Sequence, residues 1–63
     1  MCESTAYVME SGQRRELMRD VAKIIIDGDQ ATLISILGER KVMENVRLAL
    51  ADLMGHAMVF ERV

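Results

Sequence analysis

Cys2 and His56 carry the most versatile chemistry in this sequence of 63 residues, and each is the only residue of its type. A thiol with an imidazole is the one nucleophile pair available, yet the two residues lie near opposite ends of the chain. The serines and threonines have no catalytic motif around them, and neither a Gly-rich phosphate loop nor an HExxH element occurs. We therefore expect that the protein is not an enzyme.

Cys2 is also a candidate metal ligand. Removal of the initiator methionine would place its thiol beside a free α-amine. A thiolate with an adjacent amine or deprotonated backbone nitrogen forms a chelate suited to Ni(II) or Cu(II). One cysteine cannot complete such a coordination plane, whereas two copies brought together at a dimer interface could. The competing interpretation is a small buried cysteine with a structural role, which spacing alone favours.

Other potential ligands have simpler explanations. His56 follows Gly55 in a predicted turn, where a histidine is more often solvated or bonded to the backbone than a metal ligand. Asp27 and Asp29 flank a turn glycine, where carboxylates ordinarily bond the backbone. The six methionines are scattered along the chain, which predicts core packing rather than a copper-handling cluster.

The charge balance disfavours nucleic acid as a partner. Eight Lys and Arg residues against ten Asp and Glu residues give a net charge of −2, the wrong sign for a protein that depends on phosphate contacts. Arg14, Arg15 and Arg19 are interspersed with acidic residues, which predicts a solvated mixed-charge face. Tyr7 and Phe60 are the only aromatic residues, too few for base stacking.

The chain length predicts one small domain over residues 1–63. No apolar run is long enough to span a membrane, and the N-terminus lacks the features of a signal peptide. A lone cysteine without a secretory signal is typical of the cytoplasm. Because one cysteine allows no intramolecular disulfide and the core is small, we expect a second copy of the chain to stabilise the fold.

Turn residues and β-branched residues predict a β-rich fold. Residues 21–27 and 31–37 flank the sequence Asp-Gly-Asp and predict a hairpin through Gly28. Further strands are predicted over residues 2–10, 14–18 and 57–63. A small barrel of such strands leaves open edges, which is a second reason to expect a homodimer.

Residues 39–54 fit two structures. Their apolar residues fall at helical spacing, and part of the segment also alternates with the period of a strand. The content of Ala, Leu, Glu and Arg slightly favours a helix. By contrast, the strand predicted over residues 57–63 needs a neighbour, and Gly55 is well placed for a turn that joins the two.

Three segments carry a family resemblance: MCEST at residues 1–5, DVAKI at residues 20–24 and ADLMGHAMVFE at residues 51–61. With the order of strands and turns, they resemble the CooT family of small nickel-binding proteins, which are associated with maturation of carbon monoxide dehydrogenase in anaerobic bacteria and archaea. The resemblance implies an all-β, five-stranded Sm-like (SH3-like) barrel that forms a homodimer. It also implies one Ni(II) between the paired Cys2 residues, and a long bent strand over residues 39–54.

Two functions are therefore expected as alternatives. The first is a metallochaperone-like protein that binds Ni(II) through Cys2 and passes it to a maturation partner of carbon monoxide dehydrogenase. The second is an RNA-binding module, since Sm-like barrels elsewhere bind RNA. The acidic balance and the shortage of stacking aromatic residues favour the first. The resemblance assigns no role to His56.

Overall fold

The chain forms one six-stranded sheet in this computed structural model, which describes residues 3–63. The predicted ligand Cys2 lies outside the described residues. The strands are β1 (Ser4–Glu10), β2 (Gln13–Asp27), β3 (Gln30–Ser35), β4 (Arg40–Glu44), β5 (Val46–Asp52) and β6 (Ala57–Arg62). Their order across the sheet is β4-β3-β2-β1-β6-β5, and β1 with β6 is the one parallel pair within residues 3–63. The described part contains no helix that could cross a membrane.

Two tight turns connect the first three strands. Ser11 and Gly12 have φ angles of 52° and 77°, and two consecutive positive φ angles are typical of the turns that match the twist of a hairpin. The predicted hairpin through Gly28 is confirmed, with register from Val21↔Ser35 to Asp27↔Gln30. Its second strand ends at Ser35, two residues earlier than predicted.

Strand β2 is longer than the sequence indicates. Residues 14–18 and 21–27 were expected as separate strands, whereas β2 runs through both. Asp20 interrupts its regular conformation with a φ of 54°, and the pairing of β1 with β2 shifts register there. An aspartate tolerates this left-handed conformation better than most residues. The strand therefore changes direction at Asp20 without ending.

The ambiguous segment is extended, so the helical preference of residues 39–54 is wrong. It forms β4 and β5, which are separated by Asn45 with a φ of 59°. This break gives six strands where five were predicted. The two strands lie at opposite edges of the sheet, and no ladder joins them within residues 3–63. The all-β class is thus confirmed, but the sheet is compact and not closed into a hydrogen-bonded barrel.

The core lies on the inner face of the sheet. Its fully buried members come from four strands: Ala6, Val8, Ala31, Leu33, Val46 and Phe60. Met18, Met43 and Met58 pack against this cluster, as predicted for gap-filling methionines. Met54 contradicts that prediction, because 92% of its surface is exposed in the turn between β5 and β6.

Ion pairs connect β1, β2 and β6 at the end of β1. Glu10 accepts hydrogen bonds from Arg15 Nε at 2.7 Å and from Arg62 Nη2 at 2.5 Å. Arg15 lies near the start of β2, and Arg62 is the last residue of β6. The bonds from Arg15 and then from Arg62 lower the pKa of Glu10 from 4.5 to about 2.

The ion pairs of Glu10 make the stability of the fold depend on pH. Because the pKa of Glu10 is lower in the folded state, its contribution is present above pH 4.5 and is lost as the pH falls from 4.5 toward 2. We expect Glu10→Gln to reduce the loss of Tm over that pH interval, as followed by circular dichroism. Arg15→Gln should reduce this loss of Tm only partly, since the hydrogen bond from Arg62 to Glu10 remains. An unchanged acid profile in both variants would contradict the assignment.

Candidate functional site

The start of β1 is held from both sides by its neighbouring strands. Ser4, two residues after Cys2, pairs with Val21 of β2. On the other side the Thr5 N–H donates a hydrogen bond to the His56 carbonyl oxygen at 2.9 Å. The parallel ladder then continues from Thr5↔Ala57 along β6. The chain that follows Cys2 is therefore anchored in the middle of the sheet.

His56 occupies a strained position next to this start. It is half-buried and has a φ of 55°. Its backbone carbonyl oxygen accepts the hydrogen bond from Thr5 of β1. The sequence placed His56 far from the N-terminus, whereas the parallel pairing of β1 with β6 brings it beside Thr5. Nothing in the local sequence pattern indicates a parallel pair, so this proximity could not be predicted.

Gly55 fixes the turn that presents His56. Its N–H donates a hydrogen bond to Asp52 Oδ1 at 2.8 Å. A β-carbon at position 55 would lie 2.6 Å from Asp52 Oδ2, which is closer than non-bonded carbon and oxygen atoms approach. A side chain at position 55 would therefore displace the Asp52 carboxylate from its hydrogen bond with the backbone N–H of residue 55. The predicted turn at Gly55 is confirmed.

A cleft of about 250 Å³ opens beside the start of β1. Its lining comes from β1, β2 and β6, and includes Ser4, Lys23 and Met58. The pairing of β1 with β2 ends at Ser4↔Val21, so residues 22–27 of β2 pair with β3 alone among the described strands. Among residues 3–63, this stretch of β2 has no partner on its β1 side, and the partly apolar cleft lies at the same end of β1.

The described residues do not assemble a metal site by themselves. No group of three or more His, Cys, Asp or Glu side chains within residues 3–63 could hold a metal ion. Asp27 and Asp29 flank the turn glycine of the β2–β3 hairpin, as predicted.

The three arginines of β2 contact other side chains of the same chain. Arg15 pairs with Glu10, and Arg19 pairs with Glu16. The guanidinium of Arg14 lies over the ring of Tyr7, 5.5 Å from its centroid, at a distance typical of a cation–π contact. These contacts confirm the prediction of a mixed-charge face at residues 14–19.

The fold defines a small all-β protein built from one six-stranded sheet, in which the start of β1 is held between β2 and β6. Residues 1–61 match the family described as CO dehydrogenase accessory protein CooT, and the chain belongs to this family. An accessory role agrees with the expectation that the protein is not itself an enzyme.

A solved structure supports the same relationship. The crystal structure of a protein from Carboxydothermus hydrogenoformans, described as CooT, is similar to the chain with a TM-score of 0.86 and 26% sequence identity. The match covers 98% of each chain. No curated protein matches the sequence. The similarity extends over the whole sheet and includes the strand order that sequence patterns alone did not establish.

Proposed function

We propose that this protein binds Ni(II) through the Cys2 thiolate and acts in the cytoplasm as a nickel-handling accessory in the maturation of carbon monoxide dehydrogenase. The observation that carries the proposal is the match of residues 1–61 to a family of CO dehydrogenase accessory proteins. The protein would not catalyse a reaction. Nickel is its cargo, delivered to a partner that completes the enzyme.

The donor set argues for a homodimer. Cys2 is the only cysteine, and residues 3–63 supply no cluster of metal-binding side chains. One thiolate from each of two chains, completed by α-amino or backbone nitrogens, gives the square-planar nitrogen and sulfur environment that suits Ni(II). A site shared in this way would hold one nickel ion per two chains.

The anchored start of β1 supports this arrangement. Ser4 and Thr5 are fixed by β2 and β6, so the backbone entering the site is restrained before the metal binds. Such restraint reduces the conformational entropy that the chain loses when it binds the metal. Leu53 and Met54 are 71% and 92% exposed in the turn that precedes β6. Apolar side chains near this end of the sheet favour coverage by another chain.

Nickel titration tests the proposal. We expect calorimetry to give one Ni(II) per two chains, with an affinity that rises as the pH increases toward the free thiol value of ~8.5, because nickel competes with the proton for sulfur. Sedimentation velocity should show the mass of a dimer for the nickel-bound protein. Binding of one ion per chain, or an affinity independent of pH, would contradict the shared thiolate site. An N-terminal tag that retains Met1 should weaken binding only if the α-amine is a ligand.

A further inference from the structure

A row of three β-branched side chains, two of them aliphatic, crosses the outer surface of β2, β3 and β4, and we call it the apolar row. Ile25 pairs with Thr32, and Thr32 pairs with Val42, so their side chains lie side by side on one face. This face points away from the core, because Ala31 and Leu33, the neighbours of Thr32 on β3, are buried. Ile25 and Val42 are 46% and 56% exposed. We call this surface, with the charged rows described next, the outer face.

Two rows with charges of opposite sign flank the apolar row, and their central members on β3 are Ile34 and Gln30. Lys23 and Arg40 share a register row on one side, and Asp27 and Glu44 share a register row on the other. All four residues are exposed. The ion pairs found within residues 3–63 involve other side chains, so these four charges are uncompensated in that part of the chain. The outer face is therefore dipolar, with an apolar centre.

We propose that the outer face binds a second copy of this chain about a two-fold axis that runs along the apolar row. Rotation about this axis places Lys23 of one copy against Asp27 of the other, and Arg40 against Glu44. Ile25, Thr32 and Val42 then cover their own counterparts, as an isologous contact requires.

The charges select this axis over the alternative. A two-fold axis parallel to the strands would place Lys23 of one copy against Arg40 of the other, and Asp27 against Glu44. Juxtaposed like charges disfavour that contact. The face also has fewer side chains per copy than the roughly 20–30 of a stable interface, so the association is weak. The proposed contact is argued from residues of β2, β3 and β4 and needs no nickel, so it goes beyond the proposed function.

Charge reversal tests the contact. The parent is the full chain with Cys2→Ser, kept under chelator so that the proposed nickel site makes no contribution. An acidic-face variant carries Lys23→Glu and Arg40→Glu, and a basic-face variant carries Asp27→Lys and Glu44→Lys. Sedimentation velocity over about 5–500 μM should show self-association of the parent, weakened at least about tenfold in each variant alone. An equimolar mixture of the two variants should associate at least as strongly as the parent.

A matched control separates surface complementarity from overall charge. Glu16→Lys with Glu61→Lys gives the same net charge as the basic-face variant but leaves the outer face intact. On its own this control should self-associate as the parent does, because its outer face is unchanged. The proposal is overturned if the parent does not self-associate, if the control loses association as the basic-face variant does, or if both face variants associate as the parent does. Circular dichroism establishes that each variant is folded.

Discussion

Replacing Cys2 by serine is expected to abolish nickel binding. The sequence offers no second cysteine, and a serine hydroxyl stays protonated at the pH values where a thiol in contact with a metal is ionised. Loss of an outer-shell partner alone costs roughly 10–100-fold in metal affinity, and loss of a direct ligand costs more. Calorimetric titration of Ni(II) into the wild type and into Cys2→Ser should therefore give measurable binding only for the wild type.

Moving the thiol provides the matched control. The double variant Cys2→Ser with Ser4→Cys keeps one cysteine in the chain but places it in β1, where residue 4 pairs with Val21. We expect no recovery of the wild-type stoichiometry, because the position of the thiol matters as well as its presence. Equal affinity and stoichiometry in wild type and Cys2→Ser would make Cys2 a structural residue and would end the nickel proposal. His56→Ala in the wild-type background reports separately whether the imidazole contributes.

The hairpin of β2 and β3 shows what the sequence can specify. Gly28 has a φ of 61° and lies between two aspartates, and the β-branched residues on either side favour strands. Turn chemistry and strand preference agree there, and the observed register begins at Asp27↔Gln30 as the turn requires. Local information was sufficient because the two partners are adjacent in the chain.

The breaks at Asp20 and Asn45 show what the local sequence cannot specify. Asp20 lies inside a strand, and its carbonyl accepts a hydrogen bond from the Ile36 N–H at 2.9 Å. Asn45 separates β4 from β5, and its carbonyl accepts a hydrogen bond from the Val63 N–H. Both conformations depend on partners distant in the sequence. The helical preference of residues 39–54 is overridden for the same reason, because β4 pairs with β3 and β5 pairs with β6.

The candidate sites divide in the same way. Cys2 could be singled out from its type and position, and its role remains a prediction because it lies outside the described residues. The proximity of His56 to Thr5 depends on a parallel pair, which has no local sequence pattern. The charge rows of the outer face combine residues from β2 and β4, and only the register through β3 brings Lys23 and Arg40 into one row. Non-local pairing therefore determines surfaces that composition does not reveal.

Leu33→Ala is expected to unfold much of the protein in the absence of a partner or metal. Leu33 is fully buried in the core cluster with Val8 and Phe60, and truncation of a buried leucine lowers the free energy of unfolding by about 2–5 kcal/mol. A single core in a chain this short rarely supplies more than ~3–5 kcal/mol. The loss is therefore comparable to the whole stability of the monomer. Urea denaturation of the metal-free protein, followed by circular dichroism, measures it.

Leu37→Ala is the matched control, because it makes the same substitution four residues away at a side chain that is 85% exposed. Its effect should stay within about 0.5 kcal/mol, as for most surface changes. The difference between the two variants isolates burial, since the atoms removed are identical. If nickel and a second chain stabilise the fold as proposed, added Ni(II) should raise the urea midpoint of Leu33→Ala, because a ligand that binds only the folded state opposes unfolding. Equal urea midpoints for Leu33→Ala and Leu37→Ala in the metal-free protein would contradict the placement of Leu33 at the centre of the core.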